Sequence, residues 1–372
     1  MNKITLVIIC LSFFMTQCQK TNEFTSDGDF SYKAETIVDG LDIAWGLEFL
    51  PDGSLLIAEQ EGDLIVFKDG EKTKLKNVPA VVYKNQGGLL DLKLHPDYAN
   101  NGWIYFSFSG NTENDDKGAN TVIMRARIKG DELIDKEVIY KATPNTKKGQ
   151  HFGSRLAFDK EGYLFFSIGD RGNRDNNPQD IKRDGGKIYR LHDDGSIPSE
   201  NPFVSTAGAK AAVYSYGHRN PQGMDMNPQT GKIWVHEHGP QGGDEINIIE
   251  SGKNYGWPLI TYGINYDDSE ITKDTDLPGM EQPLHYWVPS IAPSGMTFIT
   301  TDRYPGWENQ LLVGSLKFEY LNLVKLENGK VVSEEKLIEG MGRVRTVKIG
   351  PDGYIYVSIE QLGIVKLVSS NI

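Results

Sequence analysis

Trp45-Gly-Leu-Glu-Phe-Leu, Pro51-Asp-Gly53 and Ser54-Leu-Leu-Ile-Ala58 read in order as an apolar strand, a tight turn and a second apolar strand. Proline presets one turn dihedral and glycine supplies the positive one, so the two runs fold back on each other. The unit recurs. Leu89-Leu-Asp-Leu-Lys-Leu, His95-Pro-Asp97 and Trp103-Ile-Tyr-Phe-Ser107 form the second copy. Arg155-Leu-Ala-Phe, Asp159-Lys-Glu-Gly162 and Tyr163-Leu-Phe-Phe form the third. Further copies begin at Met224, Gly295 and Arg345, the last with its own Pro351-Asp-Gly353 turn. Several are followed by another apolar run, such as Asp63-Leu-Ile-Val-Phe67 or Gly363-Ile-Val-Lys-Leu367.

Six copies spaced by roughly 45 to 70 residues, with little helical periodicity, predict an all-β chain folded as a six-bladed β-propeller. Each blade buries its faces against its neighbours, so the array is stable when the ring closes. Two stacked sandwiches explain the repeated turn less well. The run Glu35-Thr-Ile-Val38 is placed to complete the last blade and latch the ring, giving a propeller over residues 35–372. Two long polar excursions, Asn173 to Asp184 and Lys253 to Pro293, are the expected binding loops.

The N-terminus departs from this pattern. Leu6-Val-Ile-Ile-Cys-Leu-Ser-Phe-Phe14 follows Lys3 and is too short to span a bilayer, which suits a signal-peptide core in residues 1–18. Cys18 resembles a lipobox cysteine, though Gln17 is larger than the usual residue before it, and ordinary cleavage nearby is the alternative. An exported, periplasmic or lipid-anchored protein is expected, with residues 19–34 as a polar tether. The two cysteines, Cys10 and Cys18, leave the mature domain without a disulfide. A formal charge of −12 argues against nucleic acid and anionic membranes as partners.

Several stretches carry chemistry. His151 in Gln150-His-Phe-Gly-Ser-Arg-Leu156 precedes one strand, and Asp170 follows its hairpin partner, so both emerge at the same sheet end. That suits a base and the acid fixing its tautomer, although a buried structural histidine reads equally from these residues alone. Gln86-Gly-Gly-Leu-Leu90 allows close backbone approach or a tight turn. Gly217-His-Arg-Asn-Pro-Gln-Gly223 is poor turn chemistry and good ligand chemistry. In His236-Glu-His-Gly-Pro-Gln-Gly-Gly-Asp-Glu245 the histidines at i and i+2 permit zinc, but no third ligand follows at a suitable spacing. Carbonyls and acids in an irregular loop suit calcium better. Lys317, Arg343 and Arg345 are solvated strand ends or, with Arg219, a cationic cluster for a ligand bearing several carboxylates or phosphates.

These motifs, with Asn254-Tyr-Gly-Trp-Pro258 and Trp287-Val-Pro-Ser-Ile-Ala-Pro-Ser294, resemble those of the soluble pyrroloquinoline-quinone-dependent sugar dehydrogenases, in the aldose sugar dehydrogenase branch of the glucose/sorbosone dehydrogenase family. The likeness runs from Trp45 to Leu367. It implies a propeller enzyme that oxidises an aldose at the anomeric carbon, passing hydride to the quinone and then electrons to an external acceptor. On that resemblance His151 is the proton acceptor, Asp170 its orienter, and Arg219 the arginine near the reacting quinone oxygens. Gln86, Asn220 and Ser290 fall on cofactor-binding positions, and Lys317, Arg343 and Arg345 on those holding the cofactor's carboxylates. The carbonyls of Gly239 and Pro240 match ligands of a calcium ion, Glu245 and Tyr255 a further calcium site. Two positions depart from the pattern: Gln150 replaces an acid, and Val288 replaces a stacking tryptophan, leaving Tyr266 as the candidate for stacking. A calcium-dependent lactonase-like hydrolase and a non-catalytic carbohydrate-binding propeller remain the rival readings.

Overall fold

The structure, a computed structural model, describes residues 22–26, 30–111 and 117–370. The signal segment and Cys18 lie outside the described residues. Nearly all regular structure is antiparallel strand, in five four-stranded sheets and one of five strands. Each four-stranded sheet is one blade built from consecutive strands, the first being Ala44–Phe49, Leu55–Glu59, Leu64–Lys68 and Glu71–Lys74. Blades two to six begin with Leu89–Leu94, Leu156–Phe158, Pro221–Met226, Pro293–Phe298 and Val344–Ile349. The six-bladed expectation is therefore met. Among the described residues no helix is long and apolar enough to cross a membrane.

The repeated turn works as its residues dictate. Asp52 Oδ1 accepts from Ser54 N at 3.1 Å and Ser54 Oγ at 2.5 Å, while Gly53 takes φ 83°. Between blades, aromatic and aliphatic side chains form continuous cores. Tyr105 of blade two packs edge-on against Phe158 of blade three at 5.1 Å, and Phe166 stacks on Tyr189 at 4.8 Å.

The ring closes through strand Ser31–Asp39, which pairs antiparallel with Gly363–Ser369 and puts Thr36 opposite Val365. A further strand, Asn22–Thr25, pairs with its start. The segment expected as a tether over residues 19–34 is thus taken into the sheet from Asn22. The reason is apolar: Tyr32 and Ala34 are buried, and Phe24 and Phe30 pack against Tyr32.

On the axis stands Arg155, from blade three. Its guanidinium donates to the carbonyl of Gln222 at 2.7 Å, to Asp91 Oδ1 at 3.1 Å and to the carbonyl of Arg345 at 3.1 Å, and it lies 4.0 Å from the Trp45 ring. Asp91 Oδ2 also accepts from Leu156 N at 2.9 Å. One side chain therefore ties blade three to blades one, two, four and six. Arg155→Met should cost ~3 kcal/mol or more, because it strands a buried carboxylate. Adding Asp91→Asn should recover part of that loss in a double-mutant cycle read by denaturant unfolding; strict additivity would reject the axial-pin role.

Candidate active site

The motif that opens blade three is bent hard before its short strand begins. His151, Gly153 and Ser154 all take positive φ, at 54°, 64° and 81°. For a non-glycine residue this is uncommon and persists when neighbours enforce it. At Gly153 a Cβ would stand 2.7 Å from Gly169 N, so only glycine lets the two segments touch. Gln86 accepts from His151 N at 2.7 Å. These contacts press His151 against the turn that carries Asp170.

His151 Nδ1 lies 2.7 Å from Asp170 Oδ1. Since a carboxylate only accepts, Nδ1 carries the proton and Nε2 presents its lone pair. Asp170 is itself held on every side. Its Oδ2 accepts from Trp257 Nε1 at 3.0 Å, its Oδ1 from Gly172 N at 2.7 Å, and its own N–H donates to the carbonyl of Arg219 at 2.7 Å. Burial lowers the His151 pKa; the hydrogen bond to Asp170 opposes this, and the positive charge of Arg219 adds to it. Burial works to raise the Asp170 carboxyl, yet His151, Arg219 and the Gly172 N–H together hold it below the usual range. A neutral imidazole oriented by an ionised acid is the resting arrangement of a base.

Three cavities surround this dyad. A deep one of about 310 Å³ is lined by Gln86, Asn220, Gln222, His238, Arg343 and Arg345, among others. A second of about 300 Å³ contains His151, Asp170, Arg219, Trp257, Pro240 and Tyr266. The two adjoin at the Gln86–His151 contact. A slot of about 10 Å³, room for one small particle, is lined by Arg219, Glu237, His238, Gly239, Glu245 and Tyr255.

In the deep cavity, Arg343 Nε reaches Glu360 Oε2 at 2.7 Å and Arg345 Nε reaches Glu360 Oε1 at 2.9 Å. Burial favours the protonated Glu360, and the two guanidiniums overcome that and hold it ionised below its usual range. The expected common face of the two arginines is present, with an acid between them. Asn220 spends Oδ1 on Gly153 N at 3.2 Å, leaving its amide donor for the cavity. A pocket with two guanidiniums at one end and amides along its wall fits a flat, multiply carboxylated group such as pyrroloquinoline quinone.

In the slot, Glu237 and Glu245 face each other in register on adjacent strands. Burial first, then the charge of Glu237, pushes the Glu245 carboxyl up to about 8. Gly239 has no room for a side chain, since a Cβ would meet Gly242 O at 2.1 Å. Asp244 staples this loop, accepting from Gly239 N at 2.8 Å and from Ile291 N at 2.7 Å. Carboxylate crowding beside backbone carbonyls fits a hard divalent cation. No cluster of three or more His, Cys, Asp or Glu side chains in a metal-binding arrangement occurs among the described residues, so carbonyls would have to supply the remaining ligands. Zinc gains nothing here, since His238 Nε2 is bonded to the carbonyl of Pro293 at 2.6 Å.

Two expected cofactor residues stand apart from these walls. Lys317 is exposed, with its ammonium 5.2 Å from the Phe318 ring. Ser290 is buried, and its Oγ accepts from Ala292 N at 3.1 Å. Tyr266 is 74% exposed and lines the second cavity rather than the deep one. Trp257, Glu237 and Glu360 are functional neighbours that the sequence reading did not assign.

The histidine–carboxylate dyad thus opens into the second cavity of a six-bladed propeller, beside the deep one. Residues 41–366 match the glucose/sorbosone dehydrogenase family model, and the chain belongs to that family. It is 42% identical over 335 residues to the aldose sugar dehydrogenase YliI of Escherichia coli K12, covering 88% of this chain and 90% of that protein. A crystal structure of a glucose dehydrogenase superposes with TM-score 0.86 at 41% identity, covering 91% of this chain and 99% of that one. The pyrroloquinoline-quinone-bound aldose sugar dehydrogenase of Streptomyces coelicolor superposes with TM-score 0.73 at 29% identity, covering 90% and 96%.

Proposed function

We propose that this protein oxidises aldoses at the anomeric carbon, using pyrroloquinoline quinone in the deep cavity and calcium beside it. The observation that carries the proposal is the 2.7 Å His151–Asp170 pair in the second cavity, where His151 N also meets Gln86 of the deep one. A sugar in the second cavity would give its anomeric hydroxyl proton to His151 Nε2. Asp170, fixed by Trp257 and Gly172, would stabilise the imidazolium that forms. Arg219, whose Nη1 also donates to the carbonyl of His238 at 3.0 Å, lines this cavity and is the donor available to developing negative charge. When bound, the quinone supplies the hydride acceptor and calcium supplies electrophilic polarisation. Gln86, Asn220, Arg343 and Arg345 would hold the cofactor, and Tyr266 would lie over the sugar. The carbonyls of Gly239 and Pro240 would hold the calcium beside the quinone, and Glu245 and Tyr255 a further calcium. An external acceptor would then reoxidise the quinone.

The test is reconstitution. Apoprotein given the quinone and calcium should reduce a redox dye when an aldose is added, and neither addition alone should suffice. Lactone hydrolysis without quinone would instead favour the hydrolase reading.

Calcium should also stabilise the fold, since it would offset the repulsion between the buried Glu237 and Glu245 carboxyls. At a hundredfold excess over Kd the gain should be about 2.7 kcal/mol. A melting temperature unmoved by a strong chelator, in protein shown to contain calcium beforehand, would reject the site.

A further inference from the structure

Beside the pocket of His151 lies another cavity, of about 330 Å³, that the proposed chemistry does not use. It shares Lys148 and Asn173 with that pocket, so the two are contiguous. Among the described residues its only acidic wall residue, Asp184, is fully committed. Asp184 Oδ1 accepts from Tyr140 Oη at 2.6 Å and Tyr189 Oη at 3.0 Å. Its Oδ2 accepts from Thr143 N at 2.8 Å and Lys210 Nζ at 2.8 Å. No acceptor capacity is left there for a ligand.

The cations differ. Arg171 is only 2% exposed, yet its guanidinium meets no carboxylate among the described residues. It donates to the carbonyls of Gln150, Lys148 and Ala119 and lies 3.5 Å from the Phe152 ring, and its Nε has no partner there. The nearby acid, Asp170, is taken by His151, Trp257 and Gly172. Arg183 uses Nε on Asn177 Oδ1 at 3.0 Å and leaves both terminal nitrogens without a partner among the described residues. Lys148 Nζ donates, among the described residues, to the carbonyl of Gly172 alone. Among the described residues none of the three cations forms an ion pair. Among the charged side chains of this wall the unused hydrogen-bonding capacity is therefore donor-only and positive, in a chain whose formal charge is −12.

We infer that this cavity is an anion subsite continuous with the active pocket, shaped for a carboxylate or phosphate carried by the sugar. The inference rests on the aldose reading for where the sugar sits, but not for the anion site itself. Buried, unpaired guanidinium is costly without an anion, and Arg with phosphate or carboxylate forms the strong charge-assisted bonds. A sugar with its anomeric carbon at His151 and a charged group at its far end would span both cavities. That would set substrate class by charge rather than by ring stereochemistry.

Arg183 is exposed and outside the proposed chemistry, so Arg183→Ala should fold. Apoprotein would be titrated calorimetrically with inorganic phosphate, and holoenzyme assayed with glucose 6-phosphate and with glucose. The expected result is phosphate binding that weakens ~10-fold in the variant, with a similar loss of kcat/KM for glucose 6-phosphate and none for glucose. Phosphate binding lost in Arg183→Ala, with no advantage of glucose 6-phosphate over glucose in the parent, would make the ligand a free anion rather than a substrate group. No phosphate binding by the parent at about 10 mM, a Kd far weaker than any specific site, together with unchanged sugar selectivity in the variant, would overturn the subsite. If no aldose is oxidised at all, the aldose reading fails, while the titration still decides the cavity.

Discussion

His151→Ala should bind cofactor normally, melt near the parent temperature and turn over ~10²–10⁴-fold more slowly, the usual contribution of a positioned base. The expectation separates binding from chemistry because the two arginines facing the deep cavity, Arg343 and Arg345, belong to blade six, while His151 precedes blade three. One contact bears on the alternative. Gln86 accepts from the His151 main-chain N–H, which alanine keeps, so the lining of the deep cavity should survive the substitution. The positive φ of 54° at this position costs alanine something, so stability must be measured on the same preparation. A folded, cofactor-loaded variant that reduces quinone at the parent rate would remove His151 from the mechanism.

The pH dependence follows from the same geometry. Only neutral imidazole accepts a proton, so the rate should rise with pH through the titration of the dyad. Burial, helped by Arg219, lowers the His151 pKa, so the midpoint of the rise should fall below the ordinary histidine value. Asp170→Asn leaves the hydrogen-bonding position but removes the charge and frees the wrong tautomer to form. Activity falling in Asp170→Asn at all pH values, without loss of cofactor binding, would agree with an orienting acid.

What could be read from the sequence was what repeats or stays local. The propeller was legible because the strand–turn–strand unit recurs and each turn carries its own Asp or Gly. The His151–Asp170 pair was legible because one hairpin brings its ends together, with Leu156 opposite Phe166. Residues that act across long sequence distances were not. Trp257 meets Asp170 from another blade's loop, 87 positions away. Glu360 directly follows the strand paired with the one carrying Arg345, and only the register of Val344 with Ile359 shows that it lies between the two arginines. The tether was misread because its polar composition hides Tyr32 and Ala34, whose alternation is a strand's.

Arg343→Ala with Arg345→Ala should weaken quinone binding to the apoprotein far more than it slows the reaction of whatever cofactor is bound. Each guanidinium hydrogen-bonded to a carboxylate contributes ~1.5–3 kcal/mol, so losing two should raise Kd by ~10²–10⁴-fold. Glu360 sharpens the expectation. In the parent its carboxylate is bracketed by both guanidiniums, in a wall where its side chain is only 10% exposed. Without them it becomes an uncompensated negative charge facing an anionic ligand, so the double variant adds repulsion to lost attraction. Adding Glu360→Gln should therefore recover part of the affinity, although it restores no contact to the cofactor. That recovery is the discriminating measurement, because a general loss of folding would not be repaired by a third substitution. Fluorescence titration of the apoprotein with the quinone reads it without turnover. A double variant with parental Kd, or one whose affinity is unchanged by Glu360→Gln, would show that the arginines serve the blade and not the ligand.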